Sequence, residues 1–362
     1  SSMYLTILPL IMFCRNLKLI KKEKNLNFLI KKKNNNYLNF LNENIKYQIP
    51  KVFLEGFKPT RKKIKNVNWP NKPKIIFTSI SHLNDEIFKF YTAEKKENGS
   101  KLYVFQHGGA YMTDKLHNNH FFESRISDKF FSWGWKTNTK KIEPLFVTTV
   151  AGKKIKKNKN SNGILMSIPD WDMFPHKLGS FIRTISEIKD HISSIDSLIS
   201  KLKKNTKKNI KIKFRKTVVD SLTEKEIIKK IKKKHKEITF YDNKKLRVFE
   251  ESTNFKLVVE TMNSTGLLEC LSLNIPVVML GNKKIIINDS FHNHYKKLQE
   301  AGIVHYSPKS LAEFINTHYP NIEKWWQTKK VQSAVNLFCK NICIGSDNPI
   351  QDFKKKVLKN AN

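Results

Sequence analysis

The chain has 362 residues, 39% of them hydrophobic, with 68 Lys and Arg against 31 Asp and Glu and a formal net charge of +37. That apolar content excludes a disordered chain, and the length suits two domains of ordinary size. The cationic excess points toward nucleic acid, anionic lipid or phosphate-bearing substrates; nucleotide-composition bias accounts for it equally well, since lysine far outnumbers arginine and asparagine and isoleucine are abundant. Cys14, Cys270, Cys339 and Cys343 have neither CxxC spacing nor a paired histidine motif, so neither a zinc site nor a disulfide framework is indicated, and reducing cytoplasm is the expected compartment.

The apolar opening from Met3 to Cys14 is shorter than the about 20 residues of a spanning helix. Its basic residues follow the apolar run, unlike those of a secretory signal. It reads as a core strand or helix, with an interfacial anchor as the alternative. Residues 15 to 70 are rich in Lys and Asn and carry no element that can be placed. Beyond them the pattern predicts a strand over Lys74–Ile80, a helix over Asp85–Gly99 and a strand from Lys101 to His107. Asp128–Trp135 and Glu143–Gly152 read as two more strands. The basic, Asn- and Ser-bearing segment 153–163 reads as a linker.

Strand and helix then alternate. Strands are expected in "ILMSIP", "IKIKFRK", "EITFY", "FKLVVET", "IPVVML" and "IVHY". Helices are expected over Lys177–Leu202, Thr223–Lys234, "TGLLECLSL", "SFHNHYKKLQEAG", "SLAEFINTHY" and a single long one through "EKWWQTKKVQSAVNLFCKNI". Continuous apolar strands separated by helices predict parallel sheets covered on both faces. The fold class is therefore α/β, with a first domain over 1–152, the linker 153–163, a second domain over 164–330 and a C-terminal helix and tail over 331–362; the family resemblance given below implies that the first is the acceptor side and the second the donor side. Ligands gather beyond the carboxyl ends of such strands.

Three strand ends stand out. After "LYVF" come Gln106 and His107, then Gly108 and Gly109, which allow close backbone approach; the imidazole suits a general base, and a hydrogen-bonded loop histidine is the alternative. After "FKLVVE", which ends at Glu260, come Asn263, Ser264 and Thr265, and Gly266 opens a helix carrying Glu269. Hydroxyls and free amides at a helix N-terminus suit phosphate oxygens, and Glu269 a ribose hydroxyl; plain capping fits the same residues. The third end carries Lys213, Arg215 and Lys216, cations for a diphosphate or a nucleotide leaving group; Lys211, Lys213 and Arg215 alternate with apolar residues, so at least one of them is expected to face solvent, and Arg215 is the favoured cation. Asp85 and Glu86 open a helix as acidic catalytic candidates, or simply complement its dipole. Asp170, Asp172 and His176 form a weak cation motif.

In order and spacing, "GSKLYVFQHGGAYM", "SDKFFSWGW", "ETMNSTGLLECLSLNIPVVML", "AGIVHYSPKSLAEFIN" and "WWQTKKVQSAVNLFC" resemble transferases encoded in bacterial surface-polysaccharide loci. That family looks like a branch of the GT-B glycosyltransferases. The resemblance implies two Rossmann-like domains, the nucleotide-sugar held mainly by the second, His107 as base or acceptor-side residue, and Ser264, Thr265 and Glu269 as donor-binding residues. Family members usually have a longer N-terminal region and a further glycine-tyrosine-glycine after the His-Gly-Gly, where this chain reads Ala110-Tyr111-Met112; a reduced N-terminal domain is expected.

The expected function is transfer of a sugar, an ulosonic acid among the candidates, from a nucleotide donor to a surface glycan or glycolipid. No cofactor or metal is expected, and the location is cytoplasmic, peripheral at the anionic inner face of the inner membrane. Two other classes remain open: a phosphotransferase using a CDP-linked polyol on the same scaffold, and a nucleic-acid-binding protein, for which no RNP1-like block, KH loop or zinc-finger spacing is present.

Overall fold

Ile164–Ile168 (β5), Leu257–Glu260 (β8) and Val277–Leu280 (β9) are buried along their whole length in a computed structural model. Runs of this kind have no solvent face, so they occupy the middle of a sheet with helices on both sides. The structure describes residues 55–115, 117, 119–168, 185–214, 222–241, 247–284 and 286–358, with a few isolated positions before 55. The opening apolar run, Asp170, Asp172, His176, Arg215, Lys216 and the first part of the helix expected from Lys177 lie outside the described residues. The chain divides into two units, Ser1–Phe105 with Ile126–Asp128, and Gln106–Arg125 with Lys129–Asn362.

In the first unit, helix α1 (Phe57–Lys65) precedes β1 (Ile75–Thr78), α2 (Glu86–Glu97) and β2 (Lys101–Phe105). β1 and β2 pair in parallel from Ile75 opposite Lys101 to Thr78 opposite Val104. Aromatic contacts hold the helices, with the Phe57 and Phe90 rings 5.0 Å apart and those of Trp69 and Tyr91 4.9 Å apart.

The second unit contains α3 (Asn119–Ile126, up to Arg125), the parallel pair β3 (Lys129–Ser132) and β4 (Ile142–Pro144), and a six-stranded sheet. The expected strand over Glu143–Gly152 is cut short. From Leu145 the chain leaves β4, and Val147 N donates instead to Ile344 O at 2.8 Å. Ile344 N in turn donates to Trp133 O at 2.8 Å, so a C-terminal strap is stitched to this region.

The six-stranded sheet adds β6 (Ile210–Phe214), β7 (Thr239–Phe240) and β10 (Val304–His305) in the order β10-β9-β8-β5-β6-β7, and every pairing is parallel. The order reverses between β5 and β8, which makes their carboxyl ends the topological switch point where ligands enter doubly wound sheets. Around it lie α4 (Ile185–Lys201), α5 (Leu222–Lys234), α6 (Val248–Glu251), α7 (Thr265–Ser272), α8 (His292–Glu300) and α9 (Pro308–His318). Ile195, Leu198 and Ile199 of α4 join Ile164, Met166, Ile212 and Leu311 in one core; each fully buried aliphatic side chain contributes about 1.5–3 kcal/mol. The long helix expected through "EKWWQTKKVQSAVNLFCKNI" breaks in two. Thr328 caps a new helix, α10 (Lys329–Ile342), by accepting from Val331 N, because a hydroxyl that satisfies an orphan amide favours a helix start there.

Candidate active site

Gln106, the first residue beyond β2, is buried and acts as a bracket. Its Oε1 accepts from Trp133 N at 2.9 Å and Trp135 Nε1 at 2.8 Å, and its Nε2 donates to Gly108 O at 2.8 Å. With every polar atom of its amide engaged, Gln106 fixes the backbone from which His107 projects. The His107 side chain is 23% exposed. Its Nδ1 lies 2.7 Å from the Tyr111 hydroxyl and 3.7 Å from Glu123 Oε1, and the Tyr111 hydroxyl donates to that same Oε1 at 3.0 Å.

Glu123 comes from α3 and is fully buried. Burial, then the Glu123 carboxylate, pushes the Tyr111 phenol well above its ordinary range, so it stays neutral. His117 packs 4.4 Å from the Tyr111 ring, and burial, then the charges of His120 and His107, pull it down to about 4. The imidazole at 107 is thus the partly exposed one beside a buried acid, while His117 and His120 are buried and His117 is neutral at physiological pH.

Close approach to a second loop explains Gly109. Gly109 N donates to Thr265 Oγ1 at 2.9 Å, and a Cβ on Gly109 would lie 3.0 Å from the backbone of Ser264 and Thr265. Gly108 stands farther off, its Cβ position 3.4 Å from Thr265 Oγ1, an ordinary contact that leaves room for a methyl. The loop then turns through Ala110 at φ 68° and Met112 at φ 58°. These are left-handed conformations that favour glycine, at the two positions flanking Tyr111. The turn carries Tyr111 back beneath His107, four residues upstream.

The loop after β8 is tied into the same place. Ser264 caps α7, accepting from Leu267 N at 3.2 Å, and its hydroxyl donates to Glu260 Oε2 at 2.9 Å. The other Glu260 oxygen lies against Gly266, where a Cβ would meet it. The helix N-terminus therefore already faces a buried carboxylate, which complements its dipole. Glu269 accepts from Arg247 Nη1 at 2.8 Å. Asn263 Nδ2 donates weakly to Thr113 Oγ1 at 3.4 Å.

Of the remaining sequence candidates, Lys213 is buried, 3.9 Å from the fully buried Glu251, and burial pulls its ammonium down against the opposing pull of Glu251; Lys211 is the residue of that strand that faces solvent. Asp85 caps α2 by accepting from Phe88 N at 3.0 Å, and Glu86 pairs with Lys89 at 2.6 Å; both belong to the first unit. The structure thus brings together His107, Gly108, Gly109, Asn263, Ser264, Thr265, Gly266 and Glu260. It also adds two residues that sequence reasoning passed over, Tyr111 and Glu123. In the sequence Tyr111 marks only a departure from the glycine-tyrosine-glycine pattern, and Glu123 lies in "NNHFFESR", where no spacing marks it.

One strand over, a concavity of about 740 Å³ opens at the carboxyl ends of β9 and β10, lined by Lys283, His292, Lys296 and Tyr306 among others. Its Ile286–Ile287 wall pairs with the His107 loop, through Lys115 N to Ile286 O at 2.9 Å and a bridge between Asp114 and Ile287. Among the described residues no group of three or more His, Cys, Asp and Glu is placed to hold a metal ion.

Parallel sheets wrapped by helices, with a polar constellation at a switch point, make an α/β architecture of the GT-B kind. The chain belongs to the LIC12162 family of transferases, whose model matches residues 7–357. No curated protein sequence matches it. Among solved structures it is similar to S. aureus MnaA in co-structure with UDP, at 13% identity over 85% of this chain and 82% of that one, with a TM-score of 0.50. It is also similar to the wall teichoic acid polymerase TagF soaked with CDPG, at 12% identity over 84% of each chain and a TM-score of 0.44. OtsA in its apo form is similar at 10% identity over 84% of this chain and 75% of that one, with a TM-score of 0.45.

Proposed function

We propose that this chain moves a sugar from a nucleotide-activated donor to a surface-polysaccharide or glycolipid acceptor, with His107 as the base. The observation that carries the reading is His107 hydrogen-bonded to Tyr111, above buried Glu123, on a loop whose Gly109 amide bonds Thr265 beside the switch point. In this reading His107 takes the proton of the acceptor hydroxyl as its oxygen attacks the anomeric carbon and the bond from that carbon to the phosphate oxygen breaks. The imidazolium so formed is stabilised by the Glu123 carboxylate 3.7 Å from Nδ1.

Ser264, Glu260 and Glu269 already have local partners, so the departing diphosphate is assigned to the neighbouring cationic groove with Lys283 and Lys296, and Asn263 and Thr265 to the donor's near side. That a protein of the same fold, MnaA, is seen with UDP supports a nucleotide as the ligand class. The acceptor belongs to a membrane surface in this proposal. Helix α1 exposes Lys58, Arg61, Lys62, Lys63 and Lys65, with no ion pair for any of them among the described residues. Each such cation adds about 1 kcal/mol near anionic lipid. Among the described residues no helix is long and apolar enough to cross a membrane.

Thermal unfolding in the presence of CMP, CDP, UDP and GDP tests the donor. One nucleotide should raise the midpoint selectively, because a ligand bound only by the folded state stabilises it by mass action. No response to any of the four would sink the reading. Product analysis with the responding nucleotide's sugar then separates a glycosidic product from the phosphodiester that a CDP-polyol phosphotransferase would make.

A further inference from the structure

We infer that Cys339 and Cys343 are a redox pair, closing to a disulfide under oxidation and thereby loosening the C-terminal strap that holds the His107 loop. The two sulfurs lie 3.6 Å apart, Cys343 Sγ donating to Cys339 Sγ. One helical turn separates the residues, and the Cys343 amide still donates to Cys339 O at 3.1 Å. That turn sets their Cα atoms about 6 Å apart, inside the span a disulfide bridges. The sulfurs need approach by only about 1.5 Å to bond. Cys270, in contrast, is fully buried in α7.

The two thiols differ in access, which orders the chemistry. Cys339 is half-buried and Cys343 fully buried; burial, then the neighbouring thiol, push the Cys343 thiol well above its usual range. The Cys339 thiolate therefore attacks first, on one sulfur of a small-molecule disulfide such as oxidised glutathione, whose S–S bond breaks and releases one thiolate. Cys343 then gives up its proton to water and attacks the Cys339 sulfur, expelling the second thiolate. The pair loses two electrons and the small disulfide gains them, so a reducing poise keeps the pair open and an oxidising one closes it.

Closure would be felt at the site because the next residue is part of the bracket. Cys339 lies inside α10, whereas Cys343 is the first residue outside it, at φ −147° and ψ 68°, so Cys343 is the one free to shift. Ile344 follows it directly, donating to Trp133 O and accepting from Val147 N, both at 2.8 Å. Gly134 lies against the same turn, where a Cβ would stand 3.1 Å from Ile342 N and from the Ile344 side chain. On either side of Gly134, Trp133 N and Trp135 Nε1 donate to Gln106 Oε1, next to His107.

Regulation of transfer by this pair rests on the reading of His107 as base, but closure and loosening are measured without turnover. The full chain is treated with oxidised glutathione or with dithiothreitol, alkylated and digested with trypsin. Cleavage after Lys340 separates the cysteines, so peptides 331–340 and 341–354, with one cysteine each, stay together only through the new bond. Joined peptides are expected after oxidation and separate ones after reduction. Hydrogen exchange at the Val147 and Ile344 amides should become roughly tenfold faster in the oxidised chain. Cys339→Ala should abolish both responses; if it fails to fold, Cys339→Ser, closer in size, takes its place. No joined peptide, joined peptides with unchanged exchange at both amides, or the same acceleration without Cys339 would overturn the inference. Closure with faster exchange in a chain that answers to no nucleotide would uphold it and remove the proposed transfer.

Discussion

The loops that follow β2 and β8 are both short, polar and placed at strand ends, yet they use their polar groups differently. After β8, Ser264 caps a helix, Glu260 complements its N-terminus and Glu269 is paired with Arg247. These groups satisfy one another, and in isolation they describe a well-finished helix start. After β2, Gln106 is equally committed, but it serves to aim His107, which remains partly exposed with a buried acid behind it. A polar residue at a strand end becomes a candidate for chemistry when its neighbours orient it without consuming it.

The largest expected effect breaks this contrast at its sharper end. His107→Ala should lower turnover by roughly 10²- to 10⁴-fold, while the nucleotide-induced rise in unfolding temperature persists; equal turnover would remove the base. Acid should expose the buried imidazoles next. His117 is held neutral by burial and titrates at about 4 in the fold, against about 6.5 unfolded. Because the unfolded chain binds that proton more readily, its contribution is complete above pH about 6.5 and is lost as pH falls toward about 4, on the order of 3 kcal/mol. His120, His294 and His305 shift in the same direction. Urea midpoints across that range should fall, and fall less steeply in His117→Gln.

The contact between the two loops is tested by Gly109→Ala, whose new methyl would meet the Ser264–Thr265 backbone at 3.0 Å. Overpacking against atoms that cannot swing away costs about 1–3 kcal/mol, measurable by denaturant unfolding, and an unchanged midpoint would mean the loops part freely. Ser264→Ala should cost about 1 kcal/mol as a lost cap and leave nucleotide affinity within twofold. A larger fall in affinity, by calorimetry, would return the α7 N-terminus to the donor site. The smallest effect has the opposite sign. Ala110→Gly should stabilise by about 0.5–1 kcal/mol, since the position is left-handed at φ 68°, and a lower midpoint would contradict that.

The sheet was legible because its signal is local. Apolar runs such as "ILMSI" and "VVML" have no polar face to present, and the residues between them have helical spacing. The strand read beyond Pro144 failed because the Val147 amide donates to Ile344 O, nearly two hundred residues away, a pairing that no local pattern announces. The single helix through Trp325–Trp326 failed because the pattern of apolar residues outlasts the cap at Thr328 that interrupts it. In the site, His107 and the glycines were readable from their place at the end of an apolar run. Glu123 was not, since nothing within a few residues of it announces that a fold will bury its carboxylate beneath a tyrosine. The same blindness affected Ala110 and Met112, whose left-handed backbone the side chains conceal.

The strap near the C-terminus joins this machinery from an unexpected direction. Trp133 is grasped at both ends of its peptide, its N–H by Gln106 Oε1 and its carbonyl by Ile344 N. A truncation removing the residues after Ile342 would therefore do more than trim a tail. It would loosen the tryptophan that anchors the glutamine next to the histidine, so a lesion at the far end of the polypeptide would be felt as a wandering imidazole.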